Sequence, residues 1–107
     1  MASALITMPA QARRGEVIEI KALIAHPMET GFRPGADGKV LARDIIRRFT
    51  CLYNGQQVFG AELHPAISAN PYIAFFTVAT ENGTLEFRWE GDNGFSQAET
   101  RPITVMG

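Results

Sequence analysis

The sequence predicts an all-β protein, an immunoglobulin-like antiparallel β-sandwich of about seven strands. Apolar runs alternate with polar residues at a period of two, and Gly-containing turn signals separate several of them. No apolar pattern of helical period is longer than one turn, near residues 42–47. A small β-barrel is the alternative architecture. The length of 107 residues fits a single domain, residues 1–107.

The N-terminal part predicts a short edge strand and a longer strand that faces the core. An apolar run from Ala4 to Met8 ends at Pro9, which edge strands tolerate. Residues 11–15 are expected to form a turn. The segment 16–25 then alternates between apolar and polar side chains. Its predicted inward residues are Ile18, Ile20, Ala22 and Ile24.

A β-hairpin is predicted in the middle of the chain. Phe49, Cys51 and Tyr53 alternate with Thr50 and Leu52, and Asn54-Gly55 follows them. This dipeptide favours a type I′ turn, in which both central residues need a positive φ. Residues 56–63 are therefore expected to form the return strand.

The C-terminal part predicts three further strands, in residues 72–79, 85–90 and 95–105. Leu85, Phe87 and Trp89 alternate with charged residues, so we expect them to lie in the core. The adjacent pair Phe75-Phe76 places an aromatic ring on each face of its strand. Because a sandwich strand has one inner face, one of these two rings is expected to point outward.

A long connection, from His26 to Arg48, separates the second and third predicted strands and has no steady period. Prolines and glycines interrupt it, yet it contains many apolar residues, including Met28, Phe32 and Ile45. Connections of this length tend to be functional or disordered. Its apolar content predicts an ordered loop that packs on its own domain or on a partner.

Composition excludes several classes of function. The net charge is −1 at pH 7 with no basic stripe, so a nucleic-acid partner is not expected. No run approaches the ~20 apolar residues of a membrane span, and no targeting segment is recognisable, so no membrane association is expected. The single cysteine, Cys51, rules out an internal disulfide and a zinc site of four cysteines.

No catalytic, cofactor-binding or metal-binding residue is predicted. Cys51 has either a reactive thiol or, as the strand pattern favours, a buried one. A small enzyme or metalloprotein that uses Cys51 with His26, His64 and Glu29 remains an alternative, although no histidine pair has metal-site spacing. Histidines at the start of a loop more often bind the loop backbone.

Several runs resemble one known family in order and spacing. They are Lys21 to Ile24 before His26-Pro27-Met28-Glu29-Thr30-Gly31, then Asp37-Gly38-Lys39, Ile45-Ile46, Phe49-Thr50-Cys51 and Asn54-Gly55, and finally Ala69-Asn70-Pro71-Tyr72 and Phe87-Arg88-Trp89 before Asp92 and Gly94. In these features, over nearly its whole length, the chain closely resembles SoxZ, a family of the bacterial thiosulfate-oxidising (Sox) system. Ala42 departs from the proline expected there.

The resemblance implies an immunoglobulin-like sandwich that is not an enzyme and binds no cofactor. It implies a heterodimer with SoxY, which carries the sulfur substrate covalently on a cysteine near its C-terminus. Other Sox proteins would act transiently on that carrier in the periplasm. Export together with the partner would explain the missing targeting signal. The C-terminal residues 102–107 contain no cysteine, so this chain is not expected to be the carrier itself.

Five residues are the predicted partner interface: Met28, Phe32, Ile45, Tyr72 and Phe75. They belong to the long connection and to the strand near residue 72, where there are more apolar groups than one inner face needs. A homodimer of the isolated chain is a further possibility. The alternative function is a stand-alone β-sandwich module that binds a peptide or a sugar.

Overall fold

The computed structural model describes residues 3–107 and confirms the predicted β-sandwich. One sheet has three strands in the order β1-β3-β6, and the other has five in the order β2-β8-β7-β4-β5. The strands are β1 (Ala4–Thr7), β2 (Gln11–Arg13), β3 (Val17–Ile24), β4 (Ile46–Tyr53), β5 (Gln56–Glu62), β6 (Tyr72–Val78), β7 (Gly83–Gly91) and β8 (Ser96–Met106). No helix among the described residues is long and apolar enough to cross a membrane.

The alternating segments fold as their patterns predict. In β3 every second side chain is buried, including all four predicted inward residues. Asn54 and Gly55 join β4 to β5 with positive φ angles of 49° and 83°, as the type I′ turn requires. Trp89 and Phe87 lie in the centre of the core, where both pack against Phe49 with ring centroids 5.3 and 6.3 Å away. Phe75 of the three-stranded sheet packs on Phe49 with ring centroids 6.0 Å apart, so apolar burial around Phe49 holds the two sheets together.

Two local predictions are wrong. Residues 11–15 form more than a turn, because Gln11–Arg13 is a strand that runs parallel to the end of β8. The sandwich is therefore not entirely antiparallel. No helical turn forms near residues 42–47, where Asp44 instead pairs with Glu29 through two backbone hydrogen bonds of 2.8 Å. The helical segment that does form among the described residues is a short 3₁₀ turn, Asp92–Gly94.

The long connection folds back on itself as an irregular hairpin, and residues 29–44 are called the arm below. Two isolated bridges, Glu29 to Asp44 and Pro34 to Val40, hold its two sides together. The molecule measures 61 × 20 × 19 Å, whereas an 11-residue strand spans only ~37 Å. Its radius of gyration of 16.2 Å also exceeds the ~13 Å of a compact domain of this size. The arm therefore extends the molecule beyond the end of the sandwich where β3 finishes and β4 begins.

Candidate partner-binding surface

The base of the arm is anchored by His26, which lies two residues after the end of β3 and is buried. Its Nδ1 accepts a 3.0 Å hydrogen bond from the backbone N–H of Met28. Its own backbone N–H donates to Asn70 Oδ1 at 2.9 Å, and its carbonyl accepts from the Asn70 N–H at 2.8 Å. The imidazole packs edge-on against Phe95, with centroids 5.0 Å apart. His26 thus binds the loop backbone, as predicted for a histidine at this position.

Met28 is a buried residue at the base of the arm. It has a left-handed φ of 51°, which non-glycine residues rarely adopt, and its side chain is only 4% exposed. The Met28 sulfur accepts a hydrogen bond of 3.2 Å from the backbone N–H of Ile46. The neighbouring Ile45 is also buried, at 1% exposure. These two side chains fix where the arm leaves the sandwich.

Asp92 binds the arm to the five-stranded sheet. Its carboxylate accepts two hydrogen bonds from Arg43, at 2.8 and 3.0 Å, and one from the Ile45 N–H at 3.2 Å. Arg47 Nε lies 3.2 Å from the same carboxylate. The hydrogen bonds from Arg43 are the main reason that the pKa of Asp92 is lowered from its ordinary value. The carboxylate is therefore ionised at neutral pH and holds both arginines.

A second ion pair stiffens the arm itself. Arg33 Nη2 lies 2.6 Å from Glu29 Oε1 across one turn of the loop. The hydrogen bond from Arg33 lowers the pKa of the Glu29 carboxyl and raises the pKa of the guanidinium. Beyond this pair, Phe32 projects from the arm with 81% of its surface exposed, and Val40 is also exposed. The arm therefore presents apolar side chains on a fixed support.

The structure divides the five predicted interface residues into two groups. Phe32 and Tyr72 are 81% and 58% exposed, so both are available to a partner. Met28, Ile45 and Phe75 are buried within this chain, at 4%, 1% and 4% exposure, so none of them offers a surface contact. The prediction that these three side chains contact a partner directly is therefore corrected. They pack in the core beneath the surface. Whether Phe32 and Tyr72 bind a partner stays a prediction.

Sequence reasoning assigned the wrong phenylalanine of the adjacent pair to the interface. One of the two does face outward, as predicted, but it is Phe76, which is 63% exposed. Phe75 points inward because its strand neighbour is the buried Ile20, and its ring stacks on Phe59 at 4.3 Å. The alternation of β6 places Phe76 on the same face as Tyr72. Alternation shows that the two rings lie on opposite faces, but only the pairing with β3 shows which of them points inward.

Neither Cys51 nor the histidines form a reactive centre. Cys51 lies in the middle of β4 and is fully buried, and this burial raises the pKa of its thiol to about 12. Its buried placement confirms the strand-based interpretation. His64 lines a surface cavity of about 380 Å³ and lies apart from Cys51 in the fold, at the end of β5. Within residues 3–107, no three His, Cys, Asp or Glu side chains are placed to hold a metal ion.

Comparisons with solved structures show that the fold is shared with proteins of different chemistry. The superoxide reductase (neelaredoxin) of Ignicoccus hospitalis is 15% identical, with a TM-score of 0.74 over 97% of this chain and 80% of that one. The putative superoxide reductase of Thermotoga maritima is 16% identical, with a TM-score of 0.70 over 97% of this chain and 86% of that one. At these identities the similarity establishes the fold alone.

A third structure of the same fold comes from a sulfur-oxidation system. The sulfur carrier protein SoxY of Chlorobium limicola f thiosulfatophilum is 11% identical, with a TM-score of 0.69 over 97% of this chain and 79% of that one. No curated protein matches the sequence. The family model "Sulphur oxidation protein SoxZ" matches residues 6–102, which is most of the chain. The chain therefore belongs to the SoxZ family of sulphur oxidation proteins.

Proposed function

We propose that this chain is the non-catalytic subunit of a SoxYZ carrier complex in bacterial thiosulfate or sulfur oxidation. It pairs with a SoxY-like chain, which holds the sulfur substrate covalently on a cysteine near its own C-terminus. The observation that carries the proposal is the family match over residues 6–102. In this proposal the complex works in the periplasm, where the chain arrives by export with its partner, and other Sox enzymes dock transiently.

The chemistry of Cys51 supports this division of labour. A sulfur carrier needs a thiolate, because the thiolate is the nucleophile in cysteine chemistry. With its pKa raised to about 12, the thiol of Cys51 is protonated at neutral pH, and it is also fully buried on a strand. It cannot enter the active site of another enzyme. These properties of Cys51 support the proposal that the partner carries the sulfur.

The geometry of the arm supports binding to a protein. His26, Met28 and Asp92 fix its base through backbone contacts and ion pairs, so little conformational entropy remains to be lost when a partner binds. Phe32 on the arm and Tyr72 on β6 are large, exposed and apolar, and aromatic residues are enriched at interfaces. We assign both to the surface that meets the SoxY-like chain.

The second candidate function is a stand-alone module that binds a peptide or a sugar. It is favoured by the surface cavity of about 380 Å³ near the base of the arm, which lies within the size range of small-ligand pockets. The charged side chains around it are partly engaged with one another. Arg43 and Arg47 bind Asp92, and Arg48 lies 3.9 Å from Glu62. A ligand would have to compete with these contacts.

Co-expression with a SoxY-like chain from the same genome, followed by size-exclusion chromatography with light-scattering detection, tests the proposal. The expected result is a one-to-one complex. Phe32→Glu should weaken that complex, whereas Met106→Glu, a change at an exposed residue on the opposite end of the molecule, should not. Two soluble, folded chains that stay separate would refute the pairing and favour the stand-alone module. A homodimer of the chain alone would appear in the same experiment.

A further inference from the structure

The sandwich has several sheet edges, and one of them lacks the features that normally prevent strand pairing. Natural proteins protect edge strands by making them short, or with charges, prolines and bulges. Strand β1 has only four residues, and β5 ends in Glu62 and has a register shift against β4. The open part of β8 carries Glu99, Arg101 and Pro102. Each of these edges is protected by one of the known devices.

Strand β6 has none of these protections. It is seven residues long and contains no charged residue and no proline. Its register against β3 is continuous from Tyr72 to Val78, without a bulge. Within residues 3–107 only β3 pairs with it, so its other side is an open edge of the three-stranded sheet. An exposed, regular and apolar edge is the kind that pairs with another chain.

The hydrogen-bond pattern shows which backbone groups point to this open edge. At one end Ile24 donates to the carbonyl of Pro71 at 3.3 Å, and at the other Ala79 donates to the carbonyl of Glu16 at 2.8 Å. Backbone groups of successive residues in a strand point to opposite sides, so odd-numbered residues of β6 face β3. The N–H and C=O groups that face the open edge belong to Tyr72, Ala74, Phe76 and Val78.

The side chains of the same four residues lie on an apolar outer face. The same face also carries the ion pair of Glu19 and Lys21, 3.8 Å apart, and the exposed Thr7 opposite Lys21. Its exposed large apolar residues are Leu5, Val17, Leu23, Tyr72, Phe76 and Val78. At these exposures they present on the order of 450 Å² of apolar surface. Protein interfaces are ~57–65% non-polar, so an interface with this much apolar surface would have a total area of ~700–800 Å² per partner. That area is close to the ~800 Å² per partner of a stable complex.

We infer that the open edge of β6 is the site where the SoxY-like partner adds a strand, which continues the three-stranded sheet across the heterodimer. The partner's strand is the one equivalent to β6 in its own sandwich. The Chlorobium SoxY structure covers 97% of this chain with a TM-score of 0.69, so a partner of that fold possesses such a strand. Two equivalent strands related by a pseudo-two-fold axis run antiparallel. The inference rests on the proposed function and specifies its contact.

Amide hydrogen exchange, read by NMR on the unaltered protein, tests the inference directly. In the free chain the amides of Ile73, Phe75 and Thr77 are bonded to β3 and should exchange slowly, whereas those of Ala74 and Phe76 should exchange fast. Titration with the purified SoxY-like chain should slow exchange at Ala74 and Phe76 at least tenfold. If the complex forms and these two amides remain fast, the inference is wrong while the proposed function stands.

A pair of proline variants provides a matched test by binding affinity. Ala74→Pro removes an N–H that faces the open edge of β6. Ala98→Pro does the same on β8, because Gly91 donates to Phe95 and Thr104 donates to Ala10, which places even-numbered β8 residues on the outer side. Edge strands tolerate proline at such positions. Ala74→Pro should raise the Kd for the SoxY-like chain tenfold or more, and Ala98→Pro should leave it unchanged.

Further outcomes decide whether the open edge of β6 binds the SoxY-like chain, a second copy of this chain or neither. If Ala74→Pro fails to fold, Phe76→Lys replaces it, since this exposed side chain lies across from Glu19 and a lysine there protects the edge. Equal affinity of Phe76→Lys and the unaltered chain would overturn the inference. Slow exchange at Ala74 in the chain alone, together with a homodimer, would show that a second copy occupies the edge. Absence of any complex would refute the proposed function as well.

Discussion

The division of the predicted interface into exposed and buried residues leads to opposite expectations for Phe32 and Met28. Met28→Ala removes a buried side chain and the sulfur that accepts the Ile46 N–H. Burial of a methionine contributes ~1.5–3 kcal/mol, and the cavity left by Met→Ala brings the cost to ~2–5 kcal/mol. Because Met28 lies at the edge of the core, where the arm can settle, we expect about 2–3 kcal/mol.

That loss converts into a measurable shift in melting temperature. For a domain of this size, 1 kcal/mol corresponds to a shift in Tm of roughly 4–8 °C, so a loss of ~2–3 kcal/mol should lower the Tm of Met28→Ala by roughly 8–24 °C. Phe32→Ala changes an exposed side chain and should alter the free energy of unfolding by no more than ~0.5 kcal/mol. Its effect should instead appear as weaker binding of the SoxY-like chain.

Thermal denaturation by circular dichroism and titration calorimetry with the partner separate the two effects. Met28→Leu is the control for volume: it also removes the sulfur that accepts the Ile46 N–H but fills the space, so it should cost less than Met28→Ala. An unchanged Tm for Met28→Ala would refute the assignment of Met28 to the core. A large drop in Tm for Phe32→Ala would show that the arm packs on its own domain rather than presenting this ring.

Three further perturbations test other parts of the structure. Cys51 should resist maleimide in the native protein at pH 8 and react only on unfolding, because burial raises the pKa of its thiol to about 12; rapid native labelling would contradict this. Folding lowers the pKa of Asp92, so the ionised carboxylate stabilises the fold at pH values above the ordinary carboxyl pKa. This stabilisation is lost as the pH falls through the lowered pKa, and Asp92→Asn should flatten the acid-denaturation curve in that pH range. Gly91→Ala places a Cβ 2.5 Å from the backbone oxygen of Ile45 and should cost ~1–3 kcal/mol in urea denaturation, whereas Gly60→Ala meets only a flexible glutamine amide and should cost less.

Strands with strict alternation were predictable because one face of each is buried. In β3 and β7 a shift of one residue would expose every apolar side chain, so the pattern determines the face. The short β2 was missed for the opposite reason. Three residues give no period, and their parallel pairing with Thr104 to Met106 depends on tertiary structure that no local pattern encodes.

The candidate surface was only partly predictable, again for a physical reason. The long connection has no period, so nothing in its sequence indicates that Met28 and Ile45 point inward while Phe32 points outward. In β6 nearly all side chains are apolar, and the face of each was fixed only by the pairing with β3. Excess apolar residues therefore indicated that a surface exists, but not which side chains form it.

The arm and the open edge of β6 lie at the same end of the molecule, which bears on how a partner would sit. Tyr72 is opposite Leu23, and the arm leaves the sandwich a few residues later, after His26. A partner strand that runs along β6 towards Tyr72 therefore approaches the base of the arm, and the exposed Phe32 lies beyond it. If one partner covers both surfaces, Phe32→Glu and Phe76→Lys must weaken the same complex. If only one of them does so, that partner covers one of the two surfaces and leaves the other exposed.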